Sequence, residues 1–183
     1  MIYLTVALVF LLRLAFLKVS VKNEKRILAE GGKEYGQANS KKLTILHILF
    51  YICAPLEALW RGVHYDMISY VGLGLILFSM LMLFVVVSLL KEIWTVKLMI
   101  LNKHYYVDHF LFRWVKHPNY FLNILPELLG LSLLCHALVT ALILSPFYLY
   151  VIVKRIQEEE RLLKEIIIPN GTKAKILSVP VNE

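Results

Sequence analysis

Charge is what this sequence lacks. Of its 183 residues only 18% are Asp, Glu, Lys or Arg, while 59% are hydrophobic and the mean hydropathy is +0.68. Soluble domains carry about 25% charged and about 45–50% apolar residues. The composition therefore excludes an ordinary soluble domain and points to an integral membrane protein. Cysteine is scarce too. Cys53 and Cys135 both lie in apolar stretches, which leaves no disulfide framework and no zinc cluster. Internal repeats, low-complexity tracts and domain linkers are missing, which argues against a channel or transporter built on pseudosymmetric halves. So are H-E-x-x-H, the Walker loop, G-x-G-x-x-G and G-x-S-x-G, and with them the usual marks of zinc hydrolases, P-loop proteins and serine esterases. The net charge of +7 does not make a nucleic-acid surface, because long apolar runs interrupt the basic residues. Positive side chains beside a bilayer explain it better.

What is present is hydrophobic length. Five apolar segments stand out, at about residues 1–17, 43–60, 67–90, 118–134 and 137–153, with a polar tail over 154–183. They predict one all-α transmembrane domain over residues 1–183. The first segment holds Arg13 and is followed by more charge, with no small-residue cleavage site, so it reads as an uncleaved span and not a signal peptide. In the third, Gly72 and Gly74 allow close helix contact. The stretch Pro118–Val153 would run ~54 Å as one helix, too long for a ~30 Å hydrocarbon core. It predicts a hairpin of short or tilted helices turning near Leu134-Cys135-His136-Ala137, its two ends on the same membrane face. Beyond Leu163, Pro169-Asn170-Gly171 signals a turn in a loosely docked tail.

Lysine and arginine set the orientation. Residues 18–42 hold seven, the next loop one, residues 91–117 five, the hairpin turn none, and the segment from Lys154 onward six. Alternate loops are basic, as the positive-inside rule requires. That places the N-terminus outside and the first loop, third loop and C-terminal tail in the cytoplasm, on an inner membrane if the source is bacterial.

Two polar clusters then close the same hairpin on the same side. One is Lys116-His117-Pro118-Asn119-Tyr120. Its proline suits a first helical turn, placing Asn119 and Tyr120 near free backbone N–H groups; an interfacial belt of Trp114, His117 and Tyr120 is the alternative reading. The other is Lys154 to Leu162, where Arg155 and Glu159 stand four apart and can pair along one helix face. Such a run is often only a solvated helix end. Facing the first cluster, it suits a zwitterionic ligand with a cationic centre. Inside the spans, Arg13, Glu57 and Glu127 each cost at least ~2.5–3.5 kcal/mol unless partnered. Arg13 with Glu57 is the first pair expected, as a structural pair or a pocket lining. His47 and His64 read as packing or interfacial histidines.

These residues carry a resemblance. His117-Pro118-Asn119-Tyr120, then Glu127, then Arg155-Ile156-x-x-Glu159-Glu160 resemble the isoprenylcysteine carboxyl methyltransferase family. Arg13, Asn23-Glu24-Lys25, Glu34-x-Gly36, His47, Glu57 and Trp94-Thr95-x-Lys97 are similar to its bacterial branch, so the likeness covers roughly residues 10 to 163. It implies a membrane O-methyltransferase using S-adenosylmethionine, with a lipid-like acceptor entering from the bilayer. His117, Asn119, Tyr120, Val107, Val115 and Glu159 would lie against the cofactor. Arg155, Glu160 and Glu159 would act at the reacting end, and Arg13, Glu57 and Glu127 would be candidates for the acceptor; no metal is implied. The chain departs from the family pattern at Phe110-Leu111-Phe112, where glycine-proline-tyrosine is usual, at Lys116, where arginine is usual, and at Pro126-Glu127, where the glutamate falls one place late. It also lacks a C-terminal tyrosine-rich segment, which turns the expected acceptor from a prenylated protein toward a small lipid such as an alkylpyrone or resorcinol. Two other readings stand beside this one. An NADPH-dependent membrane reductase shares the C-terminal core, and a non-catalytic lipid-binding relative could keep the fold.

Overall fold

A computed structural model of the chain describes residues 1–101, 105–107, 109–167 and 172–174. The apolar segments become helices: α1 (Ile2–Ala29), α2 (Gln37–Trp60), α3 (Met67–Leu90), the short α4 (Phe110–Trp114), α5 (Leu125–Leu134) and α6 (Leu138–Leu162). Four of them, α1, α2, α3 and α6, are long and apolar enough to cross a membrane, and residues Asn119–Leu134 form a shorter apolar helix. This is an all-α integral membrane architecture. The C-terminal hairpin is asymmetric, one short arm against one full-length helix, and its turn falls at Cys135-His136-Ala137 as the length argument required. His136 takes the left-handed backbone there, at φ 50°.

Two helices outrun their apolar runs. α1 continues well past Leu17 to Ala29, and α6 past Val153 to Leu162. Lys, Arg, Glu and Gln are good helix formers, so a polar continuation leaves the membrane without ending the helix. These projecting turns meet the loops between α1 and α2 and after α3. There β1 (Lys33–Tyr35) pairs antiparallel with β2 (Leu98–Ile100), Glu34 facing Met99. A second ladder, β3 (Tyr105–Val107) with β4 (Thr172–Ala174), is parallel. The turn expected at Pro169-Asn170-Gly171 lies outside the described residues.

The main core gathers Phe50, Tyr51 and Ala54 of α2, Ile76 of α3, Leu128, Leu131 and Leu134 of α5, and Tyr148 and Ile152 of α6. The closest approach is between α3 and α5. A Cβ on Gly72 would lie 2.6 Å from the Gly130 carbonyl oxygen, whereas one on Gly74 would meet nothing within 4 Å. Only the first glycine is therefore a packing requirement. Gly72→Val should force the helices apart at a cost of ~1–3 kcal/mol or more, and Gly74→Val should be nearly silent. Melting both variants in detergent checks this, and an equal loss in the two would refute it.

The expected Arg13–Glu57 pair does not form. Arg13 pairs with Glu127 of α5, donating from Nε at 2.6 Å and from Nη2 to Asn123 Oδ1 at 2.7 Å. Tyr51 also donates to Glu127. Glu57 instead caps α6 from another helix. Its carboxylate accepts from the backbone N–H of Val139 at 3.0 Å and of Thr140 at 2.8 Å, and Arg61 lies 3.2 Å away. Orphan N–H groups at a helix start favour a carboxylate, and α6, which begins after Ala137 with no side-chain cap bond of its own, offers them.

Candidate functional site

Pro118 opens the short arm at φ −62° with no N–H to satisfy, and the His117 carbonyl accepts from Tyr120 at 3.1 Å and Phe121 at 3.2 Å. The first turns, Asn119–Ile124, are π-helical, a widening that concentrates at functional sites. It directs Tyr120 toward the projecting end of α6. There Glu159 gathers three donors: the Tyr120 hydroxyl, His117 Nδ1 at 3.1 Å from Oε2, and Arg155 Nε at 3.3 Å from Oε1. Hydrogen bonding to Glu159 raises the His117 pKa above 6.5 against the opposing effect of burial.

Arg155 is 2% exposed. Besides Glu159 it donates from Nη1 to Ser40 Oγ of α2 and from Nη2 to the Val96 carbonyl at 3.2 Å. It thus ties three segments together, a fitting use of a forked guanidinium. The segment it reaches, residues 91–97, is also held from α1. Ser20 Oγ accepts from the Val96 N–H at 2.8 Å, and Asn23 donates to the carbonyls of Lys91 at 2.9 Å and Trp94 at 2.8 Å. Lys97 bonds Glu24 and lies 3.3 Å from Glu34, which raises its pKa, the Glu24 bond contributing most.

Between these parts lies a cleft of about 230 Å³, open on one side. Val86, Leu90 and Leu162 give it apolar walls, and Trp94, Phe112 and Tyr120 aromatic ones. His117, Lys116, Arg155 and Glu159 supply charge. Two buried nitrogens on lining residues have no hydrogen-bond partner among the described residues, Trp94 Nε1 and His117 Nε2. Glu160 Oε1 stands 3.6 Å from the latter, on a side chain 41% exposed.

The structure brings together His117, Asn119, Tyr120, Arg155 and Glu159, all of which line the cleft. Glu160 lies beside it. Val107 sits in β3 and Val115 just after α4, and neither is a lining residue. Arg13 and Glu127 lie deeper in the bundle, paired with each other. Glu57 is at the opposite end of the hairpin, bonded to the first turn of α6. The contributions of Ser20, Ser40 and the Val96 carbonyl escape sequence reasoning, since small hydroxyls and backbone groups carry no pattern. Trp94 and Lys97 had a signal: Trp94-Thr95-x-Lys97 and Asn23-Glu24 belong to one resemblance and prove to be bonded to each other.

The sequence model of the Isoprenylcysteine carboxyl methyltransferase (ICMT) family matches residues 72–165, from α3 to the end of α6. An uncharacterized protein of Haemophilus influenzae is 44% identical over 90% of this chain and 96% of its own length. The uncharacterized protein YpbQ of Bacillus subtilis is 27% identical over 90% of this chain and 98% of its own. No solved structure matches.

Proposed function

Since the chain belongs to the isoprenylcysteine carboxyl methyltransferase family, we propose that it transfers a methyl group from S-adenosylmethionine to an oxygen of a lipid-like acceptor. The oxygen is a carboxylate, enol or phenol on a molecule such as an isoprenylcysteine or a long-chain alkylpyrone. The observation that carries the reading is the Glu159 centre, a carboxylate held by His117, Tyr120 and Arg155 against an aromatic-walled cleft.

The residues present fit the cofactor. A carboxylate beside Tyr120, Trp94 and Phe112 suits a cation, which is attracted by the faces of aromatic rings. Trp94 Nε1, without a hydrogen-bond partner among the described residues, is a group a polar ligand would satisfy. When bound, S-adenosylmethionine supplies an activated methyl on a positively charged sulfur. The protein's own part is alignment, since an in-line displacement onto an anionic oxygen needs reactants held in place more than acid–base help. Arg155, fixed by Ser40, Val96 and Glu159, and the exposed Lys116 put positive charge at the cleft, where an anionic acceptor oxygen gains a charge-assisted bond. Val86, Leu90 and Leu162 keep the cleft dry and favour an apolar tail. The basic loops around the cleft support a cytoplasmic site, with the N-terminus on the outer face.

The test is calorimetry on detergent-purified protein with S-adenosylhomocysteine and, in parallel, NADPH. Micromolar binding of S-adenosylhomocysteine alone is expected. Binding of NADPH alone would move the protein to the reductases, and silence from both in folded protein would make it a non-catalytic relative.

A further inference from the structure

One helix outside the family-matched segment touches both walls of the cleft. On one wall, Ser20 and Asn23 of α1 hold the backbone of Lys91, Trp94 and Val96, making three hydrogen bonds of 2.8–2.9 Å. The carbonyl of Trp94 has its partner in this way, while the buried indole nitrogen of the same residue has none among the described residues. On the other wall, Arg13 donates to Asn123 Oδ1 at 2.7 Å, and Asn123 donates to Asn119 Oδ1 at 3.0 Å. Asn119 and Asn123 stand four apart within one π-helical stretch. Arg13 thus reaches a cleft residue through a single intermediary. The two holds lie on one continuous helix, Ile2–Ala29, so the distance between them is fixed by the helix rise of ~1.5 Å per residue.

We propose that α1 is the positioning element of the cleft, its Ser20 and Asn23 placing the Trp94–Val96 wall and its Arg13, acting through Asn123, placing Asn119. The alternative for each residue is plain packing, a contribution to stability that leaves ligand affinity untouched. Positioning predicts more. A wall freed from α1 loses pre-organisation, and ligand affinity falls even in protein that remains folded. The affinity arm of this proposal rests on the methyltransferase reading; the hold of α1 on the wall does not.

The chain has three tryptophans. Trp60 and Trp114 are 86% and 87% exposed, Trp94 only 4%, so a W60F/W114F parent reports Trp94 emission alone. In that parent, Asn23→Ala with Ser20→Ala should shift Trp94 emission to the red and weaken S-adenosylhomocysteine binding at least ~10-fold, as expected for the loss of several hydrogen bonds. Ser20→Thr, which keeps the hydroxyl, should retain both properties. Arg13→Lys keeps the charge opposite Glu127 but lacks the guanidinium fork that spans Glu127 and Asn123. It should weaken binding while leaving Trp94 emission unchanged, because it acts on the other wall. Unchanged emission in the Asn23/Ser20 variant overturns the hold, and shifted emission with wild-type affinity overturns the positioning role. If the parent itself binds no S-adenosylhomocysteine, the methyltransferase reading fails. Emission then decides whether α1 holds the wall.

Discussion

Glutamine in place of Glu159 should cost about two orders of magnitude in S-adenosylhomocysteine affinity. The carboxylate accepts from His117, Tyr120 and Arg155 at once. Hydrogen bonds to a charged group contribute ~1.5–3 kcal/mol each, and ~1.4 kcal/mol is tenfold in an equilibrium constant, so neutralising the centre weakens at least two such bonds. It also removes the negative charge that the cationic ligand would face. The same substitution should weaken a pH dependence. His117 has its pKa raised above 6.5 by Glu159. A histidine with a raised folded-state pKa contributes stability in full below 6.5 and loses it as pH climbs through the raised value. Wild-type protein should therefore melt earlier as pH increases across that range, and Glu159→Gln should show a smaller change. Calorimetry at one pH and melting at several separate the two effects. Wild-type affinity in Glu159→Gln would remove the centre from the site.

The second large effect concerns Arg13 and Glu127. Glu127 is fully buried, bonded by Arg13 and Tyr51, with His47 Nε2 3.9 Å away. Removing one partner of a buried ion pair typically destabilises by ~3–5 kcal/mol, whereas replacing both by apolar residues is often close to neutral. Glu127→Met should thus fail to accumulate or should melt far below wild type. Adding Arg13→Met should recover most of the loss, and the double variant should run as a monodisperse peak. Loss that simply adds would mean the two residues do not act as a pair. The rescued protein should still bind S-adenosylhomocysteine weakly, since Asn123 then lacks its bond from Arg13.

Why some of this was legible and some not follows from the kind of information each feature needs. The hairpin turn at Cys135-His136-Ala137 was readable because bilayer thickness and helix rise fix it without any knowledge of neighbours. The meeting of His117 and Tyr120 with Glu159 came from the same arithmetic, since a hairpin's two ends return to one face. Arg13's partner was not readable. Glu57 and Glu127 are both acidic residues in apolar helices, and choosing between them requires knowing which helix packs where. The decision was made by α6, whose uncapped start took Glu57. α1 and α6 run on past their apolar segments because a fall in hydropathy marks where a helix leaves lipid, not where it stops. The sequence marks Arg155 by its spacing from Glu159, but not its bonds to Ser40 and the Val96 carbonyl, which make it a joint between segments.

Arg13 and its partner Glu127 are 114 positions apart. During synthesis the helix bearing the arginine emerges long before the one bearing the glutamate, so for that interval the arginine has no counterpart in its own chain. At about +2.5–3.5 kcal/mol for a lone arginine at the centre of a membrane helix, the early intermediate stays in the bilayer only through the strong hydrophobicity of its neighbours, Leu11, Leu12, Leu14 and Phe16 among them. On that order of synthesis, Arg13 gains its partner only when α5 arrives, and with it the hold on Asn123 beside Asn119.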